Sequence, residues 1–365
     1  MIMTSKFRPA LPGRVSVIAV LSVACGLVAG PVDSAEPQAP VYPEHQDLLY
    51  VLNADGEKQP VTSVKGWEQR RTHVRTHIQS VMGELPRPAK PVPLDVQVLE
   101  EKTIEGMLRR KISYHTDSTE RRVNAWLFLP QGKLAGTASG ETSKRPAILC
   151  LHQTTGIGKD EPAGLGGLEN LHYAHELAKR GFVCLVPDYP SFGEYPYDFK
   201  VQGKHYASGS MKAIWNNLRA VDVLETLPQV DPNRIGCIGH SLGGHNTLFT
   251  AAFDGRIRAV VTSCGFTAYH DYYKGNLAGW TSDRYMPRIR DVYGNDPDRI
   301  SFDFHEILAA IAPRSIFINA PTGDDNFDNA GVKKVVAEAG KAFEIYGKVA
   351  GGIVAHYPEC GHDFP

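Results

Sequence analysis

The chemistry begins with five residues, Gly239-His240-Ser241-Leu242-Gly243. They follow the apolar run Arg234-Ile235-Gly236-Cys237-Ile238 and open a helical stretch from Leu242. A serine hydroxyl attacks a carbonyl only if a base takes its proton and the chain holds it clear of its surroundings. A sharp strand-to-helix turn meets the second need, and flanking glycines admit both the strained turn and the close helix behind it. The helix start adds free N–H groups and positive potential beside the nucleophile. Ser241 is therefore the expected nucleophile.

Such a serine requires a histidine base and a carboxylate to orient it. On this kind of turn the chain order is serine, acid, histidine. The apolar run Ile316–Asn319 leads into Thr322-Gly323-Asp324-Asp325-Asn326, and Ile353–Tyr357 leads into Pro358-Glu359-Cys360-Gly361-His362. Asp324 is the expected acid, with Asp325 its rival, and His362 the expected base. His356 falls inside the strand pattern and is expected to be packed. Two N–H donors must face the developing oxyanion. One is the backbone of Leu242. The other comes from Leu151-His152-Gln153-Thr154-Thr155-Gly156, with Thr154 favoured over Gln153.

These residues need a scaffold. From Arg145 onward, short apolar runs alternate with amphipathic stretches. The expected strands are 147–151, 182–186, 235–238, 259–262, 315–319 and 352–357. The expected helices are 171–180, 211–227, 242–253 and 332–346. Continuous apolar strands suit a parallel sheet covered on both faces, and the alternation means a doubly wound α/β fold with its site at the carboxyl ends of the strands. Two strand-like stretches, 107–115 and 123–130, precede this region. Lys133 to Lys144 is a polar surface turn. A helix over Trp67–Gly83 has Trp67, Val74, Ile78 and Val81 on one face. Its basic residues Arg70, Arg71, His73, Arg75 and His77 are expected to be solvated.

Arg234 to Gly244 (RIGCIGHSLGG) resembles the α/β-hydrolase superfamily, in particular its dienelactone-hydrolase-like, acetyl-xylan-esterase-like and prolyl-oligopeptidase-like branches. The resemblance runs from about Arg145 to Pro365, and the upstream Trp67…Arg70-Arg71…Gly83…Pro86 pattern is similar to leaders of secreted bacterial esterase-like members. It implies an α/β-hydrolase fold with an N-terminal extension and an insert after the sixth strand. Two departures stand out. The first core loop reads His-Gln-Thr-Thr where many members have His-Gly-Gly, and the nucleophile is serine, not the cysteine of dienelactone hydrolases.

The expected organisation is a signal peptide over 1–35, a leader and helix over 36–110, and a catalytic domain over 111–365 with an insert at 266–304. Lys6, Arg8 and Arg14 precede the apolar run Val15–Ala29, and small residues lead to Ala35. That is a secretory pattern, too short for a membrane span. It places the chain outside the cytoplasm, secreted or periplasmic, with no stable membrane span once the signal is removed. Of 365 residues, 42% are hydrophobic and 22% charged, with a net charge of −1. This excludes a disordered chain and a general nucleic-acid binder. Six cysteines cannot form a disulfide scaffold, although Cys264 and Cys360 stand where they could meet.

His172 and His175, three apart on a helix, lack partners at metal-ligand spacing and read as core or surface histidines. Gly164-Leu165-Gly166-Gly167 does not match a phosphate loop. Gln153–Gly167 reads as an active-site loop. The insert carries Tyr269, Tyr272, Tyr273, Trp280, Tyr285, Tyr293, Phe302 and Phe304, which either wall a pocket or pack the insert itself. Arg284, Arg288 and Arg290 offer recognition of an acidic group. The expected function is a cofactor-free and metal-free serine hydrolase cleaving carboxylic esters, including acyl esters on carbohydrate, through an acyl-enzyme. The rivals are a serine peptidase of prolyl-oligopeptidase type, for which only about 110 residues lie between the expected signal peptide and Arg145, and a non-catalytic hydrolase-like binding protein.

Overall fold

The computed structural model describes residues 39–132, 144–347 and 352–365. The expected signal peptide at 1–35 and most of the expected polar turn at 133–144 lie outside these residues. Nine strands form one sheet: β1 (Gln97–Ile104), β2 (Met107–Tyr114), β3 (Val123–Pro130), β4 (Arg145–Leu151), β5 (Val183–Pro187), β6 (Val230–His240), β7 (Ile257–Ser263), β8 (Ser315–Asn319) and β9 (Ile353–His356). Their spatial order is β9-β8-β7-β6-β4-β5-β3-β2-β1. The six strands from β9 to β5 are parallel, and β3, β2 and β1 continue the sheet antiparallel. The order reverses at β4, beside β6, and the loops leaving these two strands carry Thr154 and Ser241. A crevice opens at such a reversal, and ligands bind there.

Alternate side chains of the central strands enter two separate clusters. Leu149, Leu151, Val183 and Leu185 belong to one, and Cys150, Cys184 and Val186 to the other. This is the period-2 alternation of a sheet buried on both faces, and it explains why these strands read as unbroken apolar runs.

The six longer helices are α1 (Val64–Met82), α2 (Tyr173–Lys179), α3 (Gly209–Thr226), α4 (Leu242–Phe253), α5 (Phe304–Ile311) and α6 (Asn329–Glu344). Trp67, Val74, Ile78 and Val81 of α1 are fully buried, in keeping with their spacing. The basic residues of α1 are not the solvated face expected of them. Arg70 is fully buried and donates to Glu306 at 2.7 Å. Arg71 and Arg75 donate to the carbonyls of Ala312 and Ala252, and His77 is buried. A buried guanidinium needs such partners, because leaving the charge unpaired costs several kcal/mol. Helix α1 is thus fastened to α5, and the described residues form one compact unit.

Two elements go beyond the sequence reading. Strand β1 pairs antiparallel with β2 at the sheet edge, so the 110/111 boundary falls inside β2 and the insert follows the seventh strand. Every residue of β1 but the last is exposed, so it lacks the alternation that marks a half-buried strand. Helix α5 begins at Asp303, whose side chain forms a capping box with Glu306. That spacing, an aspartate three before a glutamate ahead of Ile-Leu-Ala-Ala-Ile, is a legible helix start.

Candidate active site

Ser241 stands between β6 and α4 with φ 52° and ψ −118°. A positive φ strains a residue with a Cβ and persists only where the surroundings enforce it. Here they do. The Ser241 N–H donates to the carbonyl of Ser263 at the end of β7 (2.8 Å), and the Ser241 carbonyl accepts from Gly244 and His245 in the first turn of α4. A Cβ on Gly239 would fall on the carbonyl of Gly243, and one on Gly243 on the carbonyl of Leu151. The motif glycines are the space that lets α4 begin directly over the strand ends.

The expected acid and base lie on the loops after β8 and β9. His362 Nδ1 lies 3.0 and 3.1 Å from the two carboxylate oxygens of Asp324. Asp324 Oδ1 also accepts the N–H groups of Asn326 (2.8 Å) and Phe327 (3.1 Å). Burial alone would raise the Asp324 carboxyl, but His362 and these two N–H groups outweigh it and hold it below its usual range. Asp325 is exposed on the same loop. His356, expected to be packed, is exposed, because β9 is an edge strand.

Ser241, Leu242 and Thr154 line one cavity with His245, Tyr272, Gly279, Trp280, Tyr285, Asn326 and Phe327. Its volume is about 80 Å³. Phe327 joins its wall to His362, with ring centroids 5.9 Å apart. Among the described residues, the Ser241 hydroxyl makes no hydrogen bond to His362, and bonds of this kind often tighten only when substrate arrives. The loop that replaces His-Gly-Gly is fixed by His152. Its Nε2 accepts the Tyr189 N–H (3.2 Å), which leaves Nδ1–H to donate to the carbonyl of Gln153 (2.6 Å). Gln153 itself donates to Glu161, and Thr154 Oγ1 meets the Tyr285 hydroxyl at 2.9 Å.

The insert serves both of its expected roles. Tyr272, Trp280 and Tyr285 reach the cavity, while Tyr269, Phe302 and Phe304 are buried in packing. Arg284, Arg288 and Arg290 do not line the cavity. Arg284 lies over the Phe192 ring at 4.6 Å, Arg288 donates to the Ser80 carbonyl, and Arg290 pairs with Asp291. The expected acid recognition by these residues is absent from the cavity wall. His245, one helical turn past Ser241, had no sequence signal beyond that spacing. Both its ring nitrogens are buried without partners, and burial pushes its pKa down to about 3.

His172 Nε2 bonds the Gly166 carbonyl, and the His175 ring stacks on Phe128. Among the described residues, one cluster brings Cys, Asp and His ligand atoms within 4.8 Å of one another: Cys264, Asp324 and His362. Asp324 and His362 are already bonded to each other there. All five described cysteines are free, so Cys264 and Cys360 are not joined. Among these residues no helix is long and apolar enough to cross a membrane.

The solved glucuronoyl esterase of Solibacter usitatus superimposes with a TM-score of 0.64, covering 90% of this chain and 96% of that one at 19% identity. The chain has the α/β-hydrolase fold. The sequence also matches, over residues 196–349, the family described as "Glucuronyl esterase, fungi". It is 27% identical over 170 residues to the quorum-quenching protein AidA of Acinetobacter baumannii, covering 46% of this chain and 47% of AidA. It is 28% identical over 146 residues to a 4-O-methyl-glucuronoyl methylesterase of Hypocrea jecorina, covering 36% of this chain and 31% of that enzyme. The matched segments thus span half or less of these two relatives.

Proposed function

We propose that this hydrolase is an exported serine esterase that removes short acyl groups from carbohydrate through an acyl-enzyme. Ser241 attacks the ester carbonyl as His362 takes its proton. Asp324 holds the imidazole and stabilises its charged form. The Leu242 N–H, free of an intrahelical partner at the first position of α4, and the N–H of Thr154 receive the oxyanion. His362 then protonates the leaving alcohol and activates the water that frees the acid. Every step is a proton transfer or an acyl transfer among these residues.

The cavity beside Ser241 carries this reading. A volume of about 80 Å³ holds an acyl group of a few heavy atoms beside Ser241. Its wall has neither Arg nor Lys, which suits an uncharged acyl group, and Tyr272, Trp280 and Tyr285 are flat surfaces on which a sugar ring can lie. The likeness to proteins described as glucuronoyl esterases and to Acetyl Xylan Esterase 1 of a Thermoanaerobacterium supports a carbohydrate ester as substrate. Export rests on the secretory pattern of residues 1–35.

The test is the full chain assayed on p-nitrophenyl esters from acetyl to palmitoyl, on an acetylated polysaccharide and on a peptide anilide. We expect the highest kcat/KM at two to four acyl carbons, acetate release from the polymer and no anilide cleavage. Faster turnover of the palmitoyl ester would reject the short-acyl assignment, and faster anilide cleavage would make the chain a peptidase.

A further inference from the structure

His362 sits in a segment without regular secondary structure, after β9 has ended at His356. Some other feature must hold its ring to within a fraction of an ångström of a working position, since a base displaced by about 1 Å loses much of its effect. Backbone bonds secure the start of the segment, from Thr322 N to the Pro358 carbonyl (2.9 Å) and from Gly323 N to the Cys360 carbonyl (3.0 Å). The part around the base is held by side chains.

Asn319 is the last residue of β8 and is 3% exposed. Its amide nitrogen lies 3.0 Å from the carbonyl of Asp363, the residue after the base, and 2.9 Å from Ser263 Oγ. A carbonyl only accepts, so the amide nitrogen must face it, and its two N–H groups serve the two oxygens. Cys264 Sγ reaches the same carbonyl at 3.2 Å. Ser263 Oγ, fully buried, is 3.0 Å from Nδ1 of His240, the residue before the nucleophile. The His240 ring lies 4.9 Å from the His362 ring and stacks on Phe364 at 6.3 Å.

We propose that Asn319 is a positioning residue for the base, holding His362 by two routes from one amide: directly through the Asp363 carbonyl, and through Ser263 and His240 against its ring. The inference rests on His362 being the base. Asn319 also starts the loop to Asp324, so one strand end sets the register of both acid and base. With Asn319 donating to Ser263, the serine hydroxyl is free to donate to His240 Nδ1, which fixes that ring's tautomer. Burial, followed by the charge of His362, pushes the His240 pKa down to about 4, so it stands beside the base uncharged. A neutral ring there does not oppose the imidazolium that forms on His362 during turnover.

The experiment replaces Asn319 by Leu, close in shape but unable to donate, and follows p-nitrophenyl acetate hydrolysis and fluorophosphonate labelling of Ser241. Asn319→Leu should lower kcat and the labelling rate about ten- to a hundredfold, with KM within twofold and full labelling at long times. His240→Phe should also lower kcat and move the acid limb of the kcat/KM profile to lower pH, because an apolar neighbour solvates the imidazolium less well. Should the Asn319 variant fail to fold, Ser263→Ala reads the same link and should lower kcat with KM kept. Wild-type kcat and pH profile in the folded variants would overturn the proposal. So would a kcat loss that only tracks a smaller labelled fraction, since that is misfolding rather than a displaced base. A fully active Ser241→Ala would instead overturn the serine mechanism itself.

Discussion

Both carboxylate oxygens of Asp324 stand within 3.1 Å of one nitrogen of His362, 38 residues further along the chain. Asp325, the adjacent carboxylate, is exposed. Asp324→Asn should therefore lower kcat by about 10⁴-fold, because an amide can hold the imidazole in the wrong tautomer. Asp325→Asn should stay within a few-fold of wild type. Steady-state kinetics on p-nitrophenyl acetate decides between them, and a larger loss at Asp325 would move the acid by one residue.

Ser241→Ala should abolish turnover by about 10⁴–10⁶-fold, the range for loss of a triad member. The strained φ of 52° remains with alanine, so the variant should fold and bind substrate as before. Retention of a tenth of the activity would rule Ser241 out as nucleophile.

Gly243 and Gly340 separate a steric requirement from an ordinary helix position. A Cβ on Gly243 would collide with the Leu151 carbonyl, whereas one on Gly340 meets nothing within 4 Å. Gly243→Ala should force α4 away from β4, costing about 1–3 kcal/mol and most of the activity. Gly340→Ala, inside α6, should gain about 0.5–1 kcal/mol. Urea unfolding of the two variants tests the contrast, and equal stabilities would refute it.

Stability should fall on acidification below pH 6.5. Burial pushes the pKa values of His240 and His305 down to about 4 and that of His245 to about 3. Between about pH 4 and 6.5 the unfolded chain protonates these three rings and the folded chain does not. Asp303 acts in the opposite sense, because burial raises it to about 7 and the folded chain keeps its proton there. Over these four groups the unfolded chain thus binds about two more protons, a slope of roughly 3 kcal/mol per pH unit from them. Chemical unfolding at pH 4.5, 5.5 and 6.5 measures it. Stability that is flat or rises as the pH drops would contradict these assignments.

The sequence by itself determined the order of the parts. Unbroken apolar runs announced a sheet buried on both faces, as the alternating clusters around Leu149 and Cys150 bear out. Glycines at 239 and 243 around a serine announced the turn, because few other residues leave room for a helix over strand ends. Only the tertiary structure decided what the charged and aromatic side chains do. Arg70 looked like one of five cations on a solvated face, but Glu306, 236 residues away, draws it into the core. Tyr269 and Tyr272 stand three residues apart in one insert, yet one packs the core and the other walls the cavity. His240, Ser263, Asn319 and Asp363 come from four separate segments and share no spacing that a linear pattern could reveal. Periodicity reports which way a backbone turns. The partner of a polar group depends on which distant segment the fold brings within 3 Å of it, and that is fixed only when the sheet has assembled.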